Sequence, residues 1–509
     1  MTISIVKIFT SILTSNKSRK FIKGGVIPKV SKITSNKVLN YTISTYLIYV
    51  LYFVNSIFIA IYLGPYYLGV WGFINLVIQY LAQLNFGITH SVNSIVSISK
   101  DDKDYITRIL GISLTLLSLL SIFLLFFFLF SVVFNFDIGN KFHFYNYLPL
   151  VLIVAILAFY NSLISNVYRA YGKLNEIIFN QIFYPLISLL CIFFYRGVDL
   201  LWALVISNAI SSIIIFIVLI VRCPISIRPN LDMNLAKMVV KRGLYLFLYN
   251  TSFYLIIITT RSFVSAYFLV TEFGYFTFAF TLANAVLLLL QSFSFLIYPK
   301  LLNRFSKFSN EQSYLLLKEV RSAYLTVSHF IIHFAILLVP VFLLFFPKYE
   351  SAQKAYPIIA LTVVLFSNSF GYQELLISKS NEKKLGFLAF CCLGLNLVLC
   401  YIMIKVFNVP YYLLSIGTMI TYMVYVFFVG KSGIRLLDLD SNFKTIIKDI
   451  YPARIMIPYF ISILIFFTYN ESIYLIIPIV VFLILNYKTI LGFKKIIKLI
   501  LFKPDIINI

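Results

Sequence analysis

The sequence predicts an all-α integral membrane protein of about fourteen transmembrane helices, arranged as two six-helix bundles related by a parallel repeat and followed by two extra helices. Three observations predict it: an apolar composition, an uneven distribution of charge between loops, and an internal repeat. Of the 509 residues, 61% are hydrophobic and only 12% are charged, about half the charged share of a soluble domain. Runs such as 106–133 have the length of a spanning helix and lack the alternation of barrel strands.

Fourteen apolar runs are separated by charged or turn-rich breaks. Because backbone N–H and C=O groups in hydrocarbon must be paired within the chain, each run is predicted to be a helix. The runs are 38–63, 66–96, 106–133, 147–168, 177–195, 200–221, 243–270, 273–298, 322–346, 355–377, 385–407, 411–430, 455–469 and 472–487.

The positive charges predict the orientation of these spans. With both termini in the cytoplasm, 36 of the 42 Lys and Arg lie in inside segments, five lie outside, and Arg261 lies within a span. Short cytoplasmic loops carry such an excess. The net charge of +24 therefore reflects topology beside an anionic leaflet rather than nucleic-acid binding.

An internal repeat relates the first six spans to the next six. At an offset of 205 residues, Gly69 pairs with Gly274, and Gln79 pairs with Asn284. Both halves begin inside, so the predicted repeat axis runs along the membrane normal, and two such bundles enclose a cavity suited to alternating access. A structural duplication without a transport role is the alternative.

The predicted domain organisation follows from the repeat and the charged breaks. In order, it comprises a cytoplasmic basic, amphipathic N-terminal segment (1–37), the first six-helix bundle (38–221), a cytoplasmic linker (222–242), the second six-helix bundle (243–430), a cytoplasmic loop (431–454), helices thirteen and fourteen (455–487) and a cytoplasmic basic tail (488–509).

Arg261 is the most informative single residue. It lies nine residues before the predicted outer end of span seven, about 13 Å deep at 1.5 Å per residue. A guanidinium near the bilayer midplane costs ~2.5–3.5 kcal/mol even on insertion scales. Its planar fork of donors suits phosphate or carboxylate, so an anion site is one interpretation. A structural pair with an acid or with backbone carbonyls is the other.

A second candidate surface is a polar stripe on span two, whose members are predicted to lie on one helix face. The stripe either lines a lumen for hydroxylated sugars or joins helices by hydrogen bonds. Its members are Gln79, Gln83, His90, Asn93 and Ser97. Asn284 and Gln291 lie at the matching place on span eight, and Asn250 shares a helix face with Arg261 on span seven.

Three other polar residues lie within predicted spans. Glu374, near the inner end of span ten, either reaches the interface or couples transport to a proton or a sodium ion. His329 and His333 are four residues apart on span nine, but the sequence offers no further ligand near them, so packing is favoured over a metal site.

The sequence argues against an enzyme and predicts no cofactor. It contains no nucleotide-binding Gly-rich loop, no carboxylate pair in an outward loop and no outward loop longer than ~15 residues. A transferase or polymerase acting on lipid-linked sugars needs a larger loop or domain for its chemistry.

Two motifs resemble a known family. The six-plus-six-plus-two plan resembles the multidrug/oligosaccharidyl-lipid/polysaccharide (MOP) superfamily. Residues 62–93 (YLGPYYLGVWGFINLVIQYLAQLNFGITHSVN) are similar to the N-terminal region of Wzx-type O-antigen flippases, and residues 168–176 (YRAYGKLNE) are similar to their loop after span four.

The resemblance implies a flippase that moves undecaprenyl-diphosphate-linked O-antigen or similar repeat units from the cytoplasmic to the periplasmic leaflet of a bacterial inner membrane. It implies lipid-linked oligosaccharide and membrane lipids as partners, with a glycan polymerase and a chain-length regulator as further candidates in lipopolysaccharide biosynthesis. Two alternatives stay open: a MATE-like drug or cation antiporter, and a non-transporting scaffold of a glycan-assembly complex.

Overall fold

The computed structural model describes residues 37–98, 102–134, 136, 139–225, 228–438, 442–468 and 472–502. Within them, the regular structure is entirely helical. The predicted N-terminal segment, apart from its last residue, lies outside the described residues. The α-helices are α1 Lys37–Gln83, α2 Ile88–Ile98, α3 Lys103–Val133, α4 Leu148–Ala170, α5 Leu174–Phe194, α6 Gly197–Val221, α7 Met233–Tyr267, α8 Val270–Lys307, α9 Asn310–Leu343, α10 Tyr356–Leu365, α11 Tyr372–Ser378, α12 Glu382–Lys405, α13 Ser415–Leu436, α14 Phe443–Ile450, α15 Ala453–Thr468 and α16 Ile476–Phe502.

The all-α membrane fold is confirmed, and the protein is a multi-pass membrane protein. Nine helices of the described chain are long and apolar enough to cross a bilayer, so the count of fourteen spans stays a prediction. α1 covers the first predicted span and most of the second. It bends where Gly64 adopts a positive φ of 72°, directly before Pro65, a residue that cannot donate a helical hydrogen bond.

The prediction of one continuous helix over 66–96 is wrong. α1 ends at Gln83 and α2 begins at Ile88, because Phe86 and Gly87 between them are left-handed, with φ of 46° and 77°. Glycine is required at 87, since a Cβ there would lie 2.2 Å from the carbonyl oxygen of Gly243 in the second half.

The predicted span 355–377 is also broken. α10 is followed by a short 3₁₀ turn over Phe366–Ser369, and α11 resumes at Tyr372. Gly371 bridges the two with a φ of 87°. The carbonyls released at this break, those of Asn368 and Phe370, accept hydrogen bonds from Arg321 on α9.

The two halves cross at the glycines that the repeat pairs. A Cβ on Gly69 would lie 2.1 Å from the carbonyl oxygen of Val270, and a Cβ on Gly274 would lie 1.9 Å from that of Pro65. The two contacts are related by the same offset of 205 residues, as a two-fold axis between the halves would produce. Close backbone packing of α1 against α8 therefore depends on both glycines.

Candidate functional site

A cavity of about 430 Å³ lies between the two halves, bounded by α1, α5, α7 and α8. Polar, aromatic and aliphatic side chains line it, and Arg261 is the one charged residue among them. The lining residues are Tyr49, Tyr52, Phe53, Asn55, Ser56, Ile59, Leu68, Trp71, Gly72, Asn75, Gln79, Tyr184, Ser188, Arg261, Thr277, Phe280, Thr281, Asn284, Ala285 and Leu288.

Arg261 reaches this cavity from α7 and is only 5% exposed. Its partners in the protein are distant: one terminal nitrogen donates to Gln79 Oε1 and the other to the Gly72 carbonyl, both at 3.4 Å. Its Nε has no hydrogen-bond partner. The guanidinium also lies 4.8 Å from the centroid of the Phe280 ring. The arrangement leaves a buried cation whose hydrogen-bonding capacity is largely unused.

Three of the predicted site residues meet in this cavity. Arg261, Gln79 and Asn284 all line it. Asn284 Nδ2 donates a hydrogen bond of 3.0 Å to the Phe280 carbonyl on its own helix, so its side chain is held along the cavity wall. Gly72, on the same helix as Gln79, allows α1 and α8 to pack closely, because a Cβ at position 72 would lie 2.6 Å from Thr277 Oγ1 on α8.

The remaining members of the predicted stripe lie outside the cavity lining. Gln83 accepts a hydrogen bond of 3.0 Å from Thr251 on α7, so it joins helices. His90 and Asn93 are half-buried on α2, beyond the break that separates α2 from α1. The prediction of a single stripe on one continuous helix is therefore wrong.

Three further candidates from the sequence remain. Asn250 is exposed on α7. The side chain of Gln291 lies outside the described residues, as does that of Ser97.

Glu374 does not reach the interface, which was one of the two predicted roles. It is 5% exposed, and its carboxylate accepts a hydrogen bond of 2.6 Å from the Gly371 amide, which caps α11 after the break. The helix break therefore accounts for its burial, and it lies outside the Arg261 cavity lining.

Sequence reasoning missed a second buried arginine beside it. Arg321 is 3% exposed, although its position near the end of an apolar run suggested a cytoplasmic base. It donates to the carbonyls of Asn368, Phe370, Asp449 and Ile450 at 2.5 to 3.4 Å. It therefore fastens α9, the α10–α11 break and α14 together.

His329 and His333 are packing residues in this structure. His329 Nε2 is 3.0 Å from Asn368 Oδ1, and His333 Nδ1 is 3.1 Å from Ser462 Oγ. The described part of the chain holds no group of three or more residues suited to a metal ion. The pair joins α9 to the helix break and to α15.

Comparison with solved structures identifies the class of fold. A structure described as the lipid II flippase MurJ in an inward closed conformation aligns with a TM-score of 0.66 and 14% identity, covering 90% of this chain and 100% of that one. An inward-facing multidrug resistance MATE family transporter of the MOP superfamily aligns with a TM-score of 0.60 and 14% identity, over 77% of this chain and 94% of that one. A MATE structure in complex with MaL6 aligns with a TM-score of 0.57 and 15% identity, over 79% of this chain and 96% of that one. The chain shares the fold of these three proteins.

A family model described as "Polysaccharide biosynthesis protein" matches residues 143–352, about two fifths of the chain. The matched segment runs from the loop before α4 to the turn before α10 and includes Arg261. None of the curated protein sequences compared with this chain matches it significantly. The predicted MOP resemblance is thus confirmed at the level of fold.

Proposed function

We propose that the protein is a flippase that carries undecaprenyl-diphosphate-linked O-antigen or similar polysaccharide repeat units from the cytoplasmic to the periplasmic leaflet by alternating access. The observation that carries the proposal is Arg261, a buried guanidinium in a cavity between the halves, with long contacts and an unpartnered Nε. The MurJ structure that shares the fold is named a lipid II flippase, and the family model concerns polysaccharide biosynthesis.

A diphosphate suits Arg261 physically. Guanidinium fits phosphate oxygens with two parallel N–H···O bonds, and charge-assisted bonds are roughly twice as strong as neutral ones. Such a ligand would replace two contacts of 3.4 Å and engage the Nε. It would also supply the counter-charge that a buried guanidinium otherwise lacks.

An apolar groove next to the cavity suits the polyprenyl tail. A cavity of about 280 Å³ between α1, α8 and α9 is lined almost wholly by hydrophobic and aromatic side chains. It shares Tyr49, Phe53, Ala285 and Leu288 with the Arg261 cavity. A lipid whose head group lies at Arg261 could therefore keep its tail in hydrocarbon throughout the passage.

The proposal places the protein in a bacterial inner membrane with both termini cytoplasmic, beside a glycan polymerase and a chain-length regulator. Glu374 is its candidate for coupling to a proton or a sodium ion, since it is the buried carboxylate of the described chain. Full export by a Glu374→Gln variant that is present at normal level would remove that role.

The experiment is surface display of the glycan in a deletion strain complemented with wild type, Arg261→Ala or Arg261→Lys, with membrane levels checked by immunoblot. Arg261→Ala is expected to abolish export while the protein stays in the membrane. Arg261→Lys keeps the charge but loses the planar fork, so partial export is expected. Full export by Arg261→Ala would contradict the proposal.

The same strains test the two alternatives. A drug or cation antiporter, the activity that the MATE structures' descriptions suggest for those proteins, would alter resistance to cationic drugs and leave the glycan intact. The positive charge in the cavity disfavours a cationic substrate. A scaffold would tolerate the loss of Arg261, Gln79 and Asn284 together.

A further inference from the structure

We infer that the wall of the Arg261 cavity formed by α1 and α5 is a binding surface for a neutral sugar, positioned by Asn55 and Tyr184. The inference rests on the proposed function, because the sugar is the one next to the diphosphate held at Arg261. It assigns the glycan end of the ligand to residues that the sequence did not single out.

A proline in α5 organises this wall. Pro185 lacks the N–H that would bond to the carbonyl of Gln181 four residues earlier, and Tyr52 on α1 donates its hydroxyl hydrogen to that carbonyl at 3.2 Å. Asn55, one turn further along α1, donates to the Pro185 carbonyl at 2.6 Å and to Ser188 Oγ at 3.0 Å. These bonds give donors to the Gln181 and Pro185 carbonyls and hold the Asn55 amide in one orientation.

The wall retains polar atoms that nothing in the protein satisfies. Asn55 Oδ1 and Tyr184 Oη have no hydrogen-bond partner, and neither does Thr277 Oγ1 across the cavity. Asn55 is only 3% exposed. With Arg261 Nε they make four of the eleven such buried atoms found in the described chain, and all four residues line this one cavity.

Buried polar atoms without partners cost free energy, so their concentration in one place points to a ligand that supplies the missing bonds. An amide oxygen accepts a hydrogen bond, and a phenol hydroxyl both donates and accepts. Sugar hydroxyls supply both kinds of partner. The aromatic rings that line the same cavity suit the apolar faces of a sugar ring.

The charge of the lining selects a neutral sugar. Arg261 is the one charged side chain in the lining of the cavity, so the site can balance one anionic group. An acidic sugar next to the diphosphate would bring a second buried negative charge without a cation to pair with it.

Tyr184→Phe is the sharpest test because it removes one oxygen atom that bonds to nothing in the protein. A purely structural role for Tyr184 therefore predicts no loss on this substitution. The matched control is Ser211→Ala, which removes a hydroxyl that is also unpartnered and fully buried but lies on α6, outside the cavity lining.

The experiment measures the affinity of the purified full-length protein for two probes, undecaprenyl diphosphate and undecaprenyl-diphosphate-linked N-acetylglucosamine. Wild type is expected to bind the glycosylated lipid more tightly. Tyr184→Phe should weaken binding of the glycosylated lipid roughly two- to tenfold, the range for one neutral hydrogen bond, and leave the bare diphosphate unaffected. Ser211→Ala should change neither affinity.

Each other outcome has a definite meaning. If Tyr184→Phe leaves both affinities unchanged, or lowers both equally, the sugar surface is wrong while diphosphate binding and the flippase proposal stand. Equal affinity of wild type for the two lipids also overturns the sugar surface. If wild type binds neither lipid, the proposed function itself fails.

Discussion

The two buried arginines of this protein have opposite surroundings. Arg321 is 3% exposed and donates to four backbone carbonyls, two of them within 2.9 Å. Arg261 is 5% exposed and has two contacts of 3.4 Å and an unpartnered Nε. Burial is the same in both cases, so the difference lies in how well the protein satisfies the guanidinium.

Under the proposed function, this difference separates a structural cation, Arg321, from an anion-binding cation, Arg261. At Arg321 the carbonyls released by the α10–α11 break and the last carbonyls of α14 need donors, and one planar fork supplies them. Arg321 also lies close enough to Asp449 for their charges to interact: burial raises the pKa of Asp449, and the guanidinium acts in the opposite direction. At Arg261 the protein supplies only two long contacts beside a cavity, the surroundings expected of the proposed anion site.

The largest expected effect is on folding, from Arg321→Met. The substitution keeps length and apolar volume but leaves at least two short-bonded carbonyls unsatisfied, at about 1–3 kcal/mol each, so a loss of roughly 2–6 kcal/mol is expected. Membrane level and the melting temperature in detergent measure it. An Arg321→Met protein that melts like wild type would show that this cluster does not hold the second half together.

Arg261→Met is expected to leave the stability of the free protein nearly unchanged, because it removes weak contacts and an unpartnered donor together. The effect should appear with ligand. Undecaprenyl diphosphate at a hundred times its Kd should stabilise wild type by about 2.7 kcal/mol and leave the variant unaffected. Uncharged undecaprenol is the control for the tail.

Equal stabilisation of wild type and Arg261→Met by the diphosphate would place the anion elsewhere. If Arg261→Met instead unfolds as readily as Arg321→Met, both arginines are structural and the comparison between them loses its meaning.

Sequence patterns predicted Arg261 but not Arg321, for a physical reason. A charge in the middle of an apolar run has no route to water, whereas a charge at the end of a run ordinarily reaches the interface. Arg321 is buried because α14, more than 120 residues later in the chain, covers it. Long-range contacts of this kind leave no trace in local hydropathy.

The class of fold, the repeat and part of the site were accessible from the sequence, while the polar stripe was not. Apolar run length and positive charge depend on the bilayer alone, so they are readable locally. The prediction that His90 and Asn93 share a helix face with Gln79 assumed an unbroken helix. At the break, a Cβ on Gly87 would lie 2.2 Å from the carbonyl oxygen of Gly243 in the other half, and such a long-range contact cannot be read from local hydropathy.

The smallest expected effect comes from Gln79, the neutral acceptor 3.4 Å from Arg261. Gln79→Glu places a carboxylate where the ligand's charge should be, so the arginine gains an internal counter-ion and the affinity for undecaprenyl diphosphate should fall about tenfold. Gln79→Leu, the matched control, removes the weak acceptor without adding charge and should change affinity little. Affinities of both variants, measured at one ionic strength, give the comparison. If Gln79→Leu loses as much as Gln79→Glu, Gln79 acts by hydrogen bonding or packing, and the charge argument that separates Arg261 from Arg321 weakens.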